Sequence, residues 1–279
     1  MTSTSEIARP DRAAVKQRQQ QAWASGDFHA IAARIVLVAE QLVDDADLHA
    51  GWRVLDVATG SGNAAIAAAR LGCKVVGIDY VPTLLERGRK RAAVEGLDVT
   101  FMDGDAEAMP FPDRSFDAVT SVFGAMFALD HRQAAAELVR VTRPGGTIAL
   151  ASWTPDGFIG ELFRTVATYV PPPAGVASPM LWGTETHLSE LVGDAVESLE
   201  VVERTFTFRY RSAEELVEYF RTWYGPTLKA FAAIEGPQAR RALGDDLVAL
   251  ARRYDRLESD DAIAIPATYA EAIATVKEA

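Results

Sequence analysis

The chain has 279 residues, 49% of them hydrophobic and 24% charged, with a formal net charge of −11. That composition is ordinary for a globular fold, and the negative balance disfavours non-specific attraction to nucleic acid or anionic lipid. No run of about 18 apolar residues offers a membrane span. Met1 to Arg12 is polar without the apolar centre of a secretory signal, and a single cysteine, Cys73, fits a reducing cytoplasm.

Residues 1–10 are expected to be disordered. Asp11 to Ala22 is polar and glutamine-rich, and Trp23-Ala24-Ser25-Gly26-Asp27 breaks it. Ile31, Ile35, Val38 and Leu42 recur at helical spacing and predict a helix over Phe28 to Val43. Then comes Val54-Leu55-Asp56-Val57-Ala58-Thr59-Gly60-Ser61-Gly62-Asn63, an apolar run with an acid that turns into glycines. It reads as a buried strand, Arg53 to Val57, stopping at a ligand before the helix Ala64 to Leu71. The amides after the glycines sit at a helix N-terminus and can bond an anion; a tight turn without a ligand is the plainer alternative.

Strand and helix signals then alternate. Lys74 to Asp79 is a second strand ending in an acid, and Pro82 to Glu95 is a helix with proline in its first turn. The basic cluster Arg87, Arg89, Lys90 and Arg91 on that helix reads as a solvated face. Asp98 to Met102 is a third strand leading into Asp103-Gly104-Asp105. Phe116 to Phe123 is a fourth, His131 to Val141 a helix, Pro144-Gly145-Gly146 a turn, and Thr147 to Trp153 a fifth strand. This alternation implies an α/β fold with a doubly wound, mostly parallel sheet, which binds ligands at the carboxyl ends of its strands. Asp56, Asp79 and Asp105 all fall there.

Beyond Trp153 the pattern loosens. Phe158 to Val170 looks helical and ends at Pro171-Pro172-Pro173, and Glu185 to Val192 is a further helix. A long strand falls within Ser198 to Tyr210. Ala213 to about Glu258 is mostly helical, interrupted at Gly225-Pro226 and Gly236-Pro237. Ile263 to Val276 reads as a last strand, although the Ala- and Glu-rich 270–279 suits a helix equally. With no repeat and no sharp linker, one domain over 1–279 is expected. It comprises a helical cap (11–50), a core (51–156), and a completion of the sheet (157–279) with a helical insertion near 213–258.

Four ordered stretches resemble a class I S-adenosylmethionine (SAM)-dependent methyltransferase of the small-molecule branch: Val54–Asn63, Asp79, Gly104–Phe111 and Glu137–Gly146. Asp-Val-Ala-Thr-Gly is similar to the ubiquinone and menaquinone methyltransferases, with Ala58 where the wider class more usually has glycine. The resemblance implies a Rossmann-like, seven-stranded sheet with helical lids and SAM as cofactor. It places Thr59, Gly60, Ser61 and Gly62 beside the methionine and ribose, and Asp56 near the amino group. It also implies Asp79 on the ribose hydroxyls, Tyr80 flanking the adenine, Asp105 and the Ala106 amide at the adenine edge, and Ser121 below the methionine.

Gly60-Ser61-Gly62-Asn63-Ala64-Ala65 also satisfies a dinucleotide pattern, so an NAD-dependent oxidoreductase is the rival, and a SAM-binding protein without transferase activity a third reading. Asp56 beneath the cofactor would repel a pyrophosphate and favour a cation. Trp23, Phe28 and His29 are candidates for a lid over a small-molecule acceptor, His29 being the one candidate base; the plainer alternative packs both aromatics on the core. Trp223 and Tyr224, in the apolar stretch with Tyr219, Phe220, Phe231 and Ile234, are candidates for the acceptor site, with ordinary core packing and a homodimer contact as the alternatives. His187, after the triple proline, is a candidate to approach the pocket, and no metal-ligand spacing occurs. The familiar N-terminal Tyr-Asp and Gly-Leu-Arg-Asn segments of the quinone enzymes are missing, the latter replaced by Phe123-Gly124-Ala125-Met126-Phe127.

Overall fold

The structure, a computed structural model, describes residues 12–257 and 259–278; the segment expected to be disordered, 1–10, lies outside the described residues. The chain opens with helices α1 (Arg12–Trp23), α2 (Phe28–Ala32) and α3 (Val36–Asp45). Strand and helix then alternate as β1 (Arg53–Val57), α4 (Asn63–Arg70), β2 (Lys74–Asp79), α5 (Pro82–Val94), β3 (Val99–Asp103), β4 (Phe116–Val122), α6 (His131–Val141) and β5 (Thr142–Trp153). The remainder is α7 (Phe158–Tyr169), α8 (Glu185–Val192), β6 (Val196–Tyr210), α9 (Ala213–Trp223), α10 (Gly225–Ala233), α11 (Pro237–Tyr254) and β7 (Ile263–Val276). No described helix is long and apolar enough to cross a membrane.

The seven strands form one mixed sheet in the order β3-β2-β1-β4-β5-β7-β6. The pairings from β3 across to β5 are parallel, and those of β7 with β5 and β6 antiparallel. From β1 the chain first winds outward to β3 and then returns to lay β4 on the other side of β1. The crevice at the carboxyl ends of β1 and β4 is therefore the topological switch point, where such sheets leave room for a ligand. Val54, Leu55 and Val57 are fully buried, each contributing roughly 1.5–3 kcal/mol on burial, which fixes the strand that carries Asp56.

Two expectations change. The helix expected over Phe28 to Val43 is two helices, because Asn63 Nδ2 donates to the Ala32 carbonyl (2.8 Å), a group that a continuous helix would pair with Val36. Ala32 and Ile35, on either side of the break, both line the pocket described below. Second, Pro144-Gly145-Gly146 lies inside β5 as a bulge: Phe116 faces Thr142 while Ala118 faces Thr147, and Gly145 takes φ +67°. The last strand, expected over Ile263 to Val276, is β7, and its alanine-rich end is strand rather than the alternative helix. Lying between β5 and β6, it has Ala267, Ala270, Ala272 and Ala274 buried, and this central position outweighs alanine's helical preference.

Candidate functional site

At the end of β1, Asp56 is 2% exposed. Its carboxylate accepts from Thr59 Oγ1 (2.5 Å), Thr120 Oγ1 (2.9 Å) and the Ala65 amide (3.1 Å). Burial pushes its pKa up to about 6 against those three hydrogen bonds, and the neighbouring Asp79 charge adds to the rise. At the end of β2, Asp79 accepts from the Gly60 amide (2.9 Å) on one oxygen and the Val81 amide (2.8 Å) on the other. Burial likewise raises it to about 6. The glycine turn is thus bound to both acids. The N-terminus of α4, which the sequence offered to an external anion, already holds Asp56's own carboxylate.

Backbone strain concentrates here. Gly60 and Gly62 adopt φ +56° and +85°, and a Cβ on Gly62 would lie 2.7 Å from the Phe101 ring. Two non-glycine residues at adjacent strand ends also take positive φ, Ala58 after β1 (+51°) and Phe123 after β4 (+51°). Phe123 is held there by stacking on Trp153, the ring centroids 3.7 Å apart.

These turns border a pocket of about 930 Å³, open in part to solvent. Of the residues singled out from the sequence, it brings together Asp56, Thr59, Gly60, Ser61, Asp79, Tyr80, Asp105 and Ala106, with Trp23 and Phe28 at its other side. Gly62 serves the turn and does not line the pocket. Ser121 is turned inward, its Oγ donating to the Val57 carbonyl (2.7 Å) and accepting from the Ala125 amide (2.9 Å). His29 lies behind the glycine turn, its Nδ1 3.0 Å from Ser61 Oγ, and burial followed by the Arg91 charge lowers its pKa. As a base, it has no place among the lining residues. Trp223 is 38% exposed and away from the pocket. His187 pairs instead with His131 (2.9 Å), whose pKa falls to about 4 through burial and the second imidazole.

The basic cluster is only partly a solvated face. Arg91 Nη1 donates to the Ser61 carbonyl and Asn63 Oδ1 (2.7 Å each), bracing the turn from outside, and Arg89 reaches the Phe101 carbonyl (2.7 Å).

Beyond Trp23, which the sequence offered as part of a lid, helix α1 brings polar residues to the site that the sequence reading did not single out. Lys16 pairs with Asp105 and with Glu107 (3.0 Å), Gln19 Nε2 donates to the Phe127 carbonyl (2.5 Å), and Gln20 Nε2 to the Tyr80 carbonyl (2.6 Å). Arg12 adds an ion pair with Asp130 (2.8 Å). Only Val15 of this helix is buried, so α1 is held across the pocket by polar side chains rather than by an apolar stripe. The usable signal was the spacing of Arg12, Lys16, Gln19, Gln20 and Trp23, which places them on one helical face.

Behind Trp23, Phe28, Ile35, Phe123 and Phe127 the pocket adjoins a small inner chamber of about 20 Å³, room for about one water molecule, which Tyr224 and Phe220 also line. Trp23 meets Phe28 and Tyr224 edge-on at 5.3 and 5.6 Å. Tyr224 therefore belongs to this inner chamber, not to the larger pocket. No group of three or more His, Cys, Asp or Glu among the described residues is placed to hold a metal ion.

Residues 55–150 match the family model described as a methyltransferase domain. An uncharacterized Mycobacterium tuberculosis protein is 42% identical over 236 residues, covering 83% of this chain and 86% of that protein. A demethylmenaquinone methyltransferase from Deinococcus radiodurans is 40% identical over 148 residues, covering 52% of this chain and 61% of the enzyme. Among solved structures, the YcgJ protein of Bacillus subtilis shares the fold with a TM-score of 0.61 at 19% identity, covering 86% of this chain and 98% of that one.

Proposed function

Because the chain belongs to the class I SAM-dependent methyltransferases, we propose that it binds SAM between β1, β2 and β4 and methylates a small-molecule acceptor. The observation that carries this reading is the pair of buried acids tied to one glycine turn. A carboxylate held at 2% exposure with three hydrogen bonds, yet titrating near 6, gains from a neighbouring cation such as an amino acid ammonium. Each oxygen of Asp79 receives one backbone amide and retains a lone pair for a ribose hydroxyl. Asp105 and the Ala106 amide border the same pocket at the end of β3, where the adenine would lie, with Tyr80 beside it.

The dinucleotide alternative finds less support. A pyrophosphate at this turn needs free amides, whereas Gly60 and Ala65 already donate to Asp79 and Asp56. It would also lie against two carboxylates.

Bound SAM supplies the activated methyl on its sulfonium; the protein's part is to orient, to exclude water and to hold the acceptor in line. Asp56 and Asp79 fix the cofactor's two ends, and α1 covers it.

Calorimetric titration with SAM, S-adenosylhomocysteine and NADH tests the assignment. Saturable binding of the first two and none of NADH is expected; NADH binding alone would reverse it. A screen for products one methyl group heavier then separates an active enzyme from a silent SAM binder.

A further inference from the structure

Helix α1 reaches the segments that follow β2, β3 and β4. Gln20 donates to the Tyr80 carbonyl after β2, Lys16 pairs with Asp105 and Glu107 after β3, and Gln19 donates to the Phe127 carbonyl after β4. All of these partners line the cofactor pocket. Only the Lys16 contacts are made to side chains that can turn. Asp105 Oδ1 accepts from the Glu107 amide (3.0 Å), and Lys16 holds Oδ2. Glu107 is pinned in turn: its Oε1 accepts from the Leu129 and Asp130 amides (2.7 and 3.2 Å), while its Oε2 meets Lys16 (3.0 Å). One ammonium thus bridges two carboxylates that would otherwise repel each other. Both oxygens of Asp105 are fixed, and a carboxylate so paired presents only acceptor lone pairs to the pocket.

Resting on the SAM reading above, we propose that Lys16 is a specificity-determining positioning residue, which by pinning the Asp105 carboxylate makes the pocket select a 6-amino purine over a 6-oxo purine. The amino group of adenine brings a donor to a fixed acceptor, and ring N1 can accept from the Ala106 amide. In a 6-oxo purine both polarities reverse, so that an oxygen faces the carboxylate and an N–H faces the amide. Rejection needs a carboxylate that cannot turn away. The Asp105 side chain is 34% exposed, so without Lys16 on its second oxygen it is free to swing towards water.

The test compares the calorimetric Kd of S-adenosylhomocysteine with that of its 6-oxo analogue, S-inosylhomocysteine, on the full chain. Wild type should prefer the 6-amino ligand by about 10- to 100-fold, the range of one hydrogen bond to a charged group. Lys16→Met should cut that preference at least about fivefold, and Lys16→Arg, which keeps the charge, should restore most of it. Arg12→Ala breaks the ion pair of α1 with Asp130 (2.8 Å) and loosens the helix without touching Asp105. It should weaken both ligands by the same factor and leave the preference intact. An unchanged preference in Lys16→Met, or an equal fall of preference in Arg12→Ala, would overturn the proposal and make Lys16 a tether of α1 only. Wild-type protein that binds both nucleosides equally would sink the proposal while the cofactor reading stands, whereas binding of neither would refute the cofactor reading itself.

Discussion

Lowering the pH from about 7.5 to about 5 should weaken S-adenosylhomocysteine binding by roughly 100-fold, about 2.8 kcal/mol. In the free protein Asp56 and Asp79 both titrate near 6, chiefly through burial. A ligand that places an ammonium near Asp56 and ribose hydroxyls on Asp79 requires both ionised, so binding expels the protons they carry. Below 6 each carboxylate then costs about tenfold in affinity per pH unit, and the two together give the figure above. Calorimetry in two buffers of different ionisation enthalpy measures affinity and proton release together, and near-UV circular dichroism checks that the fold persists at the lower pH. Asp56→Asn should reduce the proton count from two towards one and weaken binding at neutral pH. A Kd that stays flat across this range, or net proton uptake, would refute the assignment of these acids to the ligand. The same shifts act oppositely on the unliganded fold. A carboxyl whose folded pKa lies above its unfolded value of 3.8 stabilises the fold at low pH, and that contribution is lost as pH rises through about 6.

Ala58→Gly should raise stability by about 1 kcal/mol, read as an upward shift in Tm, since the φ of +51° is unfavourable for alanine and free for glycine. Gly124→Ala should cost about 1–3 kcal/mol, measured by urea unfolding, because its Cβ would sit 2.7 Å from both Ala58 Cβ and the Ala58 carbonyl oxygen. Lys16→Met should speed S-adenosylhomocysteine dissociation several-fold in stopped flow and increase hydrogen exchange over 12–23, since α1 buries only Val15 and leans on this ion pair. Trp223→Ala should leave stability and S-adenosylhomocysteine affinity within about 0.5 kcal/mol of wild type by thermal unfolding and calorimetry, the side chain being exposed.

The first five strands were legible because each is a short apolar run punctuated by glycine, proline or an acid, and the carboxyl ends of β1, β2 and β3 carry the acids that line the pocket. Strand β7 was ambiguous because alanine suits a helix and a buried centre strand alike; only its neighbours decide. Of helix α1 only Trp23 was singled out, because its other site contacts are polar and distant in sequence, joining Lys16 to Asp105 and Gln20 to Tyr80. A hydrophobic period cannot show a helix that docks through hydrogen bonds. Ser121 sits at the end of β4 as expected, and its hydroxyl bonds locally to the Val57 carbonyl, the plainer of the two roles open to it. Strand ends locate a backbone; they do not orient a hydroxyl.

The free site is held in an unfavourable state. Two carboxylates are buried within one turn, and Ala58 and Phe123 take left-handed backbone angles at the two strand ends flanking the switch point. Such residues persist because the sheet around them over-determines their geometry, with β1 hydrogen-bonded between β2 and β4. A ligand that brings a cation to Asp56 relieves part of the electrostatic cost without moving the backbone. Binding to the folded state alone then stabilises the protein by an amount set by ligand concentration over Kd, about 2.7 kcal/mol at 100 times Kd. Because low pH protonates the acids and relieves the same cost, the stabilisation gained from S-adenosylhomocysteine should shrink as pH falls through 6 even while the unliganded fold gains from these two groups. Thermal shifts measured with and without ligand across that range separate this behaviour from ordinary acid denaturation, in which both states would lose stability together.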